Sequence, residues 1–481
     1  MSVRLTFDGA AGTVTGSRYV LASGRQQILI DAGLFQGPRE LRELNWRRPA
    51  FDPRSIGRLL LTHTHIDHAG YLPRLAAMGF RGKISCTRAT QELAGILLMD
   101  AAKLQEEDAA YANRKRYSRH QPALPLFTTH DVRAALRQFR GLDYHEWLDV
   151  GEGVRARFSN AGHILGSAFI ELRILPGGPG EEPMTVVFSG DVGRYGVPLH
   201  VDPEPLPACD VLVMESTYGD RLHDRTPLID AIRAPIAETI ARGGTVLFPS
   251  FAVARTQLLM VMLGDLMRSG ELPAVPIDID SPMAVDVTRI YDRYAGSGQL
   301  DPDLEGRGVD KLMPANVRFH RTVEESKQLN GLRGPRIIIS ASGMLTGGRI
   351  LHHARRLLPD QKNLVLLVGF QAAGTPGRQL EDGVAALRIH GEDVPVRARV
   401  VCVHSLSAHA DADELLRWLR TAPQPPRLVC VTHGEPAASA ALAARLGDAG
   451  GMRVLVPRLG SSYDLAGEIG RTRPAPADAG G

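Results

Sequence analysis

The chain has few cysteines and no long apolar run. Its four cysteines, Cys86, Cys209, Cys402 and Cys430, are scattered over 481 residues without a C-x-x-C pair. This spacing is typical of buried thiols in a reducing compartment rather than of metal ligands. No stretch approaches the roughly 20 apolar residues that a membrane-spanning helix needs, and the N-terminal segment does not resemble a signal sequence. We therefore expect a soluble, cytoplasmic protein without a membrane partner.

The chain also lacks a strong excess of charge of either sign. Its 56 Lys and Arg residues stand against 53 Asp and Glu residues, which leaves a net charge of +3. Over this length that charge is too weak to indicate a polyanionic partner, so any basic surface must be local. The chain is longer than one hydrophobic core usually serves, and two domains are expected.

Short aliphatic runs separated by helical stretches predict an α/β fold. Several of these runs end in polar residues, as in RLLLTHTH, MTVVFSGD and DVLVMEST. From about residue 221 the pattern changes to alternating helix and strand, and after about 392 the apolar runs with polar ends return. These changes predict four segments: the first part of a core domain (1–220), an inserted α/β domain (221–391), the second part of the core domain (392–465) and a flexible tail (466–481).

Four residues with metal-binding side chains lie within six positions, in the segment THTHIDH. His63 and His65 alternate on an extended segment, so both imidazoles can face one ion, while Asp67 and His68 follow on a turn and can reach a second. A single histidine in a surface loop is usually without such a role, but a cluster this dense favours metal binding. The following AGYLPRLAAMG predicts a helix that ends at Gly79.

Two more strand ends supply candidate ligands, His163 in SNAGHILGSAF and Asp191 in FSGDVG. Taken singly, each would more often be an ordinary loop residue. Together with the first cluster they predict a two-metal site, because a carboxylate such as Asp191 can bridge two ions about 3.5 to 4 Å apart. The histidine and carboxylate ligands favour two Zn²⁺ ions per chain, with Mn²⁺ as an alternative.

These motifs resemble a known family. HTHIDH, AGHILGS and SGDVG resemble the successive motifs of the metallo-β-lactamase superfamily. MESTYGD, LSAHADAD and VTHGEP resemble motifs A, B and C of the β-CASP nucleases, and residues 339–375 are similar to the end of their inserted domain. The resemblance implies an αββα sandwich with an inserted α/β β-CASP domain.

The resemblance also implies a function and further site residues. It implies a zinc-dependent ribonuclease, acting as an endonuclease, a 5′–3′ exonuclease or both, that hydrolyses single-stranded RNA with a water activated by two metals and leaves 5′-phosphate and 3′-hydroxyl ends. Asp67, Glu215 and His409 would be catalytic, with His409 a general acid or transition-state stabiliser that Glu215 orients. His433 would complete the second metal site and favours RNA over DNA. Asp31 would support the histidine loop without binding metal.

Five residues of the inserted domain are candidates for contacts with an RNA phosphate. They are Ser340, Ser342 and Gly343, which offer hydroxyl and backbone N–H groups, and the cations Arg255 and Arg349. A structural glycine turn and solvated arginines are the alternative interpretations.

Three other functions are left open by the residues. The same two-metal core could serve a small-molecule hydrolase of thioester, lactone or β-lactam type, since fold alone does not decide function. A DNA nuclease is argued against only by His433. A weakly catalytic RNA-binding scaffold would be expected to lack ligands, and none is missing. The sequence does not separate internal from end cleavage, and a homodimer is left open.

Overall fold

The computed structural model describes residues 3–116, 118, 120–175, 183–223, 228–305, 313–369, 371–372, 374–403, 407–448 and 450–470. The contacts divide the chain into two units. Unit 1 consists of Met1–Tyr195, Asp202–Leu222 and His409–Gly481, and unit 2 consists of Gly196–Val201 and His223–Ala408. Unit 2 is thus an insertion into unit 1, and the chain returns to unit 1 at His409.

Unit 1 contains two seven-stranded sheets. In spatial order, sheet 1 consists of β22 (Ser462–Asp464), β1 (Val3–Phe7), β2 (Tyr19–Ser23), β3 (Gln26–Ile30), β4 (Ile56–Leu60), β5 (Lys83–Thr87) and β6 (Phe139–Leu142). Sheet 2 consists of β21 (Arg453–Leu455), β20 (Leu428–Val431), β11 (Val211–Met214), β10 (Met184–Phe188), β9 (Ala168–Ile174), β8 (Val154–Asn160) and β7 (Leu148–Gly151).

The helices of unit 1 are α1 (Arg39–Leu44), α2 (Ile66–Ala69), α3 (Leu72–Ala77), α4 (Arg88–Lys115), α5 (Thr129–Leu136), α13 (Ala412–Leu419), α14 (Pro436–Asp448) and α15 (Leu465–Gly470), with a 3₁₀ turn at Pro53–Ser55. The helix predicted after the histidine loop is divided into α2 and α3. Gly79 follows α3 with a φ of +100°, so the predicted end is confirmed.

Three apolar layers explain why this sequence folds as an αββα sandwich. One core lies between the two sheets and includes Phe7, Ile28, Phe158 and Ile170. Alternate residues of the same strands point to the opposite faces, where they pack against helices. Sheet 1 packs there against α2 to α5, and sheet 2 against α13 and α14. The predicted fold class is confirmed for unit 1.

Unit 2 is built around a parallel sheet with helices on both faces. Its strands, in spatial order, are β14 (Val317–Phe319), β13 (Ile277–Asp280), β15 (Arg336–Ser340), β12 (Thr245–Pro249), β16 (Leu364–Val368) and β19 (Arg399–Val403), beside a hairpin of β17 (Ala386–Ile389) and β18 (Glu392–Pro395). Its helices are α6 (Leu228–Ala241), α7 (Arg255–Arg268), α8 (Pro282–Arg293), α9 (Pro302–Glu305), α10 (Val323–Leu329), α11 (Arg349–Leu357) and α12 (Pro376–Glu381). Central strands read as continuous apolar runs because both faces are buried.

Two predicted boundaries lie close to packed elements. β19 was expected in the core domain but pairs with β16 throughout its length, which places it in the sheet of unit 2. The tail was expected from residue 466, yet α15 is helical and buries Leu465 and Ile469; residues 471–481 lie outside the described residues. Among the described helices, none combines the length and apolarity needed to cross a membrane.

Candidate metal centre

The candidate ligands lie where strands of unit 1 end. β8, β10, β11 and β20 run in the same direction, so their carboxyl ends meet at one edge of sheet 2. His163, Asp191, Glu215 and His433 each follow one of these strands by one to three residues. β4 of sheet 1 leads into the loop that carries His63 and His65 and into α2, which carries Asp67 and His68. The topology therefore gathers residues from distant segments.

The first cluster consists of His63, His65, His163 and Asp191. Nδ1 of His65 lies 3.1 Å from Nε2 of His63 and 3.2 Å from Nε2 of His163. Oδ2 of Asp191 lies 3.4 and 3.5 Å from these same two Nε2 atoms. Three imidazole nitrogens and one carboxylate oxygen thus converge, a ligand set suited to Zn²⁺.

The second cluster consists of Asp67, His68 and His433. Nε2 of His433 lies 3.1 Å from Nε2 of His68 and 3.6 Å from Oδ2 of Asp67. Oδ1 of Asp191 lies 3.1 Å from Nε2 of His68. All three residues and Asp191 belong to unit 1.

Asp191 is the residue shared by both clusters. Its Oδ2 atom faces the first and its Oδ1 atom faces the second. The side chain is buried, and neither oxygen has a hydrogen-bond partner among the described residues. A buried carboxylate without hydrogen bonds is costly unless a cation compensates its charge. The donor set therefore fits bound metal, which Asp191 and the histidines of the two clusters would hold.

Buried polar neighbours hold the second cluster. Asp31 accepts hydrogen bonds from the backbone N–H and hydroxyl of Thr62, both at 2.8 Å, and its Oδ2 atom lies 2.7 Å from Nδ1 of His68. On the other ligand, Nδ1 of His433 lies 3.2 Å from the hydroxyl of Thr217. Such partners fix which imidazole nitrogen faces the metal.

Glu215 and His409 lie beside the first cluster. Nδ1 of His409 is 3.3 Å from Oε1 of Glu215 and 3.8 Å from Oδ2 of Asp191. The same Oε1 atom accepts the backbone N–H of Val192 at 2.7 Å. Val192 in turn accepts a hydrogen bond from the backbone of Ala410 at 2.8 Å. Glu215 therefore links the Asp191 loop to His409, which is partly exposed.

The electrostatics differ between the two clusters: burial favours neutral imidazoles in the first, whereas Asp191 and Asp31 outweigh burial and raise the pKa of His68 in the second. Burial lowers the pKa of His63 to about 3 and that of His65 to about 4. Burial also holds the pKa of His163 well below its ordinary value. Burial acts in the same direction on His409, but Glu215 and Asp191 outweigh it and raise its pKa to about 9.

The two carboxylates of the clusters stay ionised for the same reason. Burial opposes ionisation of Asp67, yet the hydrogen bond to His433 and the charge of His68 keep the pKa of this carboxyl below its usual range. Burial likewise opposes ionisation of Asp191, and the surrounding histidines, His68 first, hold its pKa well below the ordinary value. Both carboxylates are thus available to metal ions.

Sequence reasoning missed the residues that hold these loops. Glu414 accepts backbone hydrogen bonds from Asp411 at 3.0 Å and from Tyr195 at 3.3 Å, and so ties the start of α13 to the Asp191 loop. Asp411 is the N-cap of α13, and Glu414 completes a capping box. The pattern D-x-x-E before an apolar run could have indicated this role.

Comparison with known proteins decides the family. Sequence models match residues 11–141 (Metallo-beta-lactamase superfamily), 256–380 (Beta-Casp domain) and 393–457 (Zn-dependent metallo-hydrolase RNA specificity domain). A protein named as a ribonuclease from Thermus thermophilus is 38% identical over 439 residues, covering 90% of this chain and 93% of that protein. The chain belongs to the β-CASP family of the metallo-β-lactamase superfamily.

Two further relatives and one structure extend the comparison of this β-CASP hydrolase. An RNase J-like protein of Methanocaldococcus jannaschii is 30% identical over 440 residues, covering 90% of this chain and 93% of that protein. A transcription termination factor, FttA, of Pyrococcus horikoshii is 32% identical over 463 residues, covering 90% and 66%. A crystal structure of a protein of unknown function from Enterococcus faecalis covers 96% of this chain and 100% of its own, with a TM-score of 0.53 and 13% identity, which shows the fold alone.

Two of the phosphate candidates in unit 2 have partners within the fold. The buried Ser340 donates its hydroxyl to the backbone oxygen of Asp280 at 3.0 Å. Arg349 donates to Oδ1 of Asp280 at 2.8 Å and to the backbone oxygen of His320 at 3.0 Å. Arg255 is buried. Ser340 and Arg349 therefore stabilise the end of β13, while a phosphate contact by any of these three residues stays a prediction.

Ser342 and Gly343 lie in the turn between β15 and α11. The hydroxyl of Ser342 accepts the backbone N–H of Thr346 at 3.0 Å. A side chain at Gly343 would meet the ring of Phe251, because an added Cβ would lie 2.9 Å from it. Phe251 and Ser342 are partly exposed and the side chain of Arg349 is 21% exposed, so both this turn and the start of α11 reach the surface.

Proposed function

We propose that the protein is a two-zinc ribonuclease that hydrolyses phosphodiester bonds of single-stranded RNA. The observation that carries the proposal is the position of Asp191, whose two buried oxygens face two separate clusters of ligand atoms. The ligands would be His63, His65, His163 and Asp191 for one ion and Asp67, His68, His433 and Asp191 for the other. When bound, the two ions supply an activated water and polarise the phosphate oxygens.

The chain itself supplies orientation and a proton. Asp31 and Thr217 hold the rings of His68 and His433. At the partly exposed His409, Glu215 and Asp191 outweigh burial and raise the pKa, so this ring is our candidate proton donor. A protonated imidazole beside the metals can donate to the leaving 3′ oxygen, which would leave 3′-hydroxyl and 5′-phosphate ends. Glu215 would hold this ring for the transfer.

We propose RNA rather than another substrate for two reasons. Relatives with nearly full coverage are named ribonuclease and RNase J-like, and the model that matches residues 393–457 is described as an RNA specificity domain. His433 is placed within the second cluster, so the residue taken to favour RNA lies where it can bind metal. The turn at Ser342 and Gly343 remains our proposal for a phosphate contact.

The test is a cleavage assay with purified protein and zinc. The substrates are an RNA with a 5′ label, the same sequence in DNA and a thioester reporter. RNA fragments that disappear with a chelator support the proposal, and their lengths separate internal cutting from end trimming. An intact RNA beside a hydrolysed thioester would favour the small-molecule hydrolase instead.

The His65→Ala variant tests the metal sites. We expect it to lose zinc and to slow RNA cleavage more than about 100-fold, because residues outside the ligand set already cost about 10- to 100-fold when replaced. Circular dichroism and limited proteolysis should show both units still folded. Full activity without bound metal would contradict the two-zinc proposal.

The proposal extends to the location and assembly of the protein. The four cysteines are free and at least partly buried, which is consistent with a reducing compartment such as the cytoplasm. The homodimer stays a prediction that light scattering can measure directly.

A further inference from the structure

Trp147 lies among three arginines of sheet 2 in unit 1. The guanidinium carbons of Arg155, Arg157 and Arg173 lie 5.2, 4.8 and 4.6 Å from the centroid of its indole ring. Together with Glu171 we call these residues the Trp147 cluster. Distances of this size are typical of cation–π contacts.

The pairing of two strands builds the cluster. β8 and β9 are antiparallel, and their register places Arg155 opposite Arg173 and Arg157 opposite Glu171. The intervening residues of both strands belong to the core between the two sheets. Because side chains alternate along a strand, these four side chains lie together on the other face of sheet 2.

The three arginines of the cluster carry more positive charge than its one carboxylate, Glu171, can balance. Within the described part of the chain, Glu171 is the one carboxylate within 4 Å of these guanidinium groups, at 3.0 Å from Nε of Arg157 and 2.9 Å from Nε of Arg173. Asp149 lies opposite Arg155 but accepts a backbone hydrogen bond of the β7–β8 turn. Two arginines directly opposite each other are destabilising unless an anion joins them.

The exposed surface of the cluster suits an RNA strand. The side chain of Arg173 is 52% exposed and that of Arg157 is 26% exposed, and Trp147 is partly exposed. Guanidinium groups bind phosphates in pairs of hydrogen bonds, and aromatic rings stack on unpaired bases. A surface of arginine and tryptophan side chains is therefore suited to binding a single-stranded nucleic acid.

We propose that the Trp147 cluster is a second RNA contact, which binds the phosphodiester backbone of a single-stranded segment away from the metal centre. Arg155 lies near the start of β8, whereas His163 follows its end. The five residue-to-residue steps from Arg155 to Asn160 span roughly 16 Å of strand. A short substrate at the metals would not reach the cluster, while a long strand would. This inference rests on the proposed ribonuclease function.

The test compares two double variants in RNA binding. Arg155→Ala with Arg173→Ala removes the opposed pair, and Arg4→Ala with Arg48→Ala removes two exposed arginines of unit 1 outside the cluster. Binding of a labelled single-stranded RNA of about 30 nucleotides is followed by anisotropy over a range of salt concentrations. We expect the cluster variant to bind at least about tenfold more weakly and to lose about 1.4 from the slope of log K against log salt, about 0.7 per phosphate contact. The control variant should match the wild type.

Two further measurements separate this contact from damage to the metal centre. Hydrolysis of bis(p-nitrophenyl) phosphate, which reaches only the metals, should be the same in the cluster variant and the wild type, while KM for the long RNA rises and kcat is retained. Quenching of tryptophan fluorescence by RNA should be lost in Trp147→Phe.

Three results would overturn the proposal. One is equal RNA affinity in the cluster and control variants, and another is an equal loss of nitrophenyl phosphodiester hydrolysis. The third is a cluster variant that binds duplex RNA more weakly than the wild type does but binds single-stranded RNA equally well. A wild-type protein that binds no RNA but hydrolyses a thioester would instead remove the proposed ribonuclease function, and with it this contact.

Discussion

The Oδ2 atom of Asp31 lies 2.7 Å from Nδ1 of His68, while Nε2 of the same ring lies 3.1 Å from Oδ1 of Asp191. The carboxylate of Asp31 thus contacts Nδ1 of the His68 ring, and Nε2 on the other side of the ring faces Asp191. Asp31 is buried and has a φ of +57°, and Thr62 occupies both its oxygens with hydrogen bonds. Its orientation is therefore fixed before any metal binds.

Replacing Asp31 by Asn should weaken metal binding. The amide keeps the volume of the side chain but loses the charge that supports His68. We expect the affinity for the second ion to fall about 10- to 100-fold, measured by competition with a chromophoric zinc chelator. Asp464→Asn on the exposed strand β22 is the control. An unchanged affinity in Asp31→Asn would mean that the carboxylate serves only the fold.

Replacing His409 by Gln should separate catalysis from metal binding. The side chain is not part of either proposed ligand set, so both ions should be retained, as measured by elemental analysis. Loss of a proton donor should slow the chemical step about 10²- to 10⁴-fold in single-turnover RNA cleavage. His352→Gln, at an exposed histidine of unit 2, is the control. Wild-type turnover in His409→Gln would exclude it as a proton donor.

Gly33 is required by the close approach of the ligand loop. A Cβ at this position would lie 1.6 Å from the backbone oxygen of Asp67. Gly33→Ala should therefore displace the turn that carries Asp67 and His68, and lower both metal affinity and the melting temperature. Gly95→Ala in α4 meets nothing within 4 Å and should stabilise by about 0.5–1 kcal/mol. A Gly33→Ala protein with normal zinc content would show that the loop tolerates the shift.

His200 should make the stability of unit 2 depend on pH. Burial, aided by the charge of Arg255, lowers its pKa to about 3, and its Nε2 atom lies 3.0 Å from the hydroxyl of Tyr291. Because the folded protein keeps this ring neutral, its stabilising contribution is present above the unfolded pKa of 6.5 and is lost as pH falls from there toward 3.

The measurement is urea unfolding of the wild type and His200→Gln at two pH values. Between about pH 7 and pH 5 the wild type should lose about 2 kcal/mol more than the variant, since one unit of pKa difference corresponds to about 1.4 kcal/mol. Parallel losses in both proteins would show that His200 is not responsible.

Much of the local structure follows from the sequence. The apolar runs RLLLTHTH, MTVVFSGD and DVLVMEST predicted β4, β10 and β11, and the segment THTHIDH predicted a loop of metal ligands. These features depend on residues that are close in the chain, and the period of side-chain alternation is fixed by the backbone.

The packing near two predicted boundaries depends on contacts that are distant in the chain. β19 is an apolar run that leads to polar residues, as the strands of unit 1 are, so its sequence fits either sheet. Only its hydrogen bonds to β16 place it in unit 2. The C-terminal segment is rich in Pro, Ala and Gly, yet Leu465 and Ile469 of α15 pack in the core between the sheets of unit 1.

The phosphate candidates show a different limit. Ser340 and Arg349 are polar residues at the end of a strand and at the start of a helix. From the sequence, these positions predict side chains that contact an RNA phosphate. In the fold they meet Asp280 at the end of the neighbouring strand. A buried carboxylate needs such partners, and the sequence does not reveal which strands are adjacent.

The sequence by itself determined the fold class, the family and the chemical nature of the candidate ligands, because motifs and side-chain periodicity are local properties. The tertiary structure alone decided that Asp191 lies between two clusters and that His433 lies beside His68, 365 residues earlier in the chain. That proximity depends on strand order, which is set by burying the apolar faces of two sheets against each other and against helices. A ligand set contributed by the ends of four strands exists only once that burial is complete.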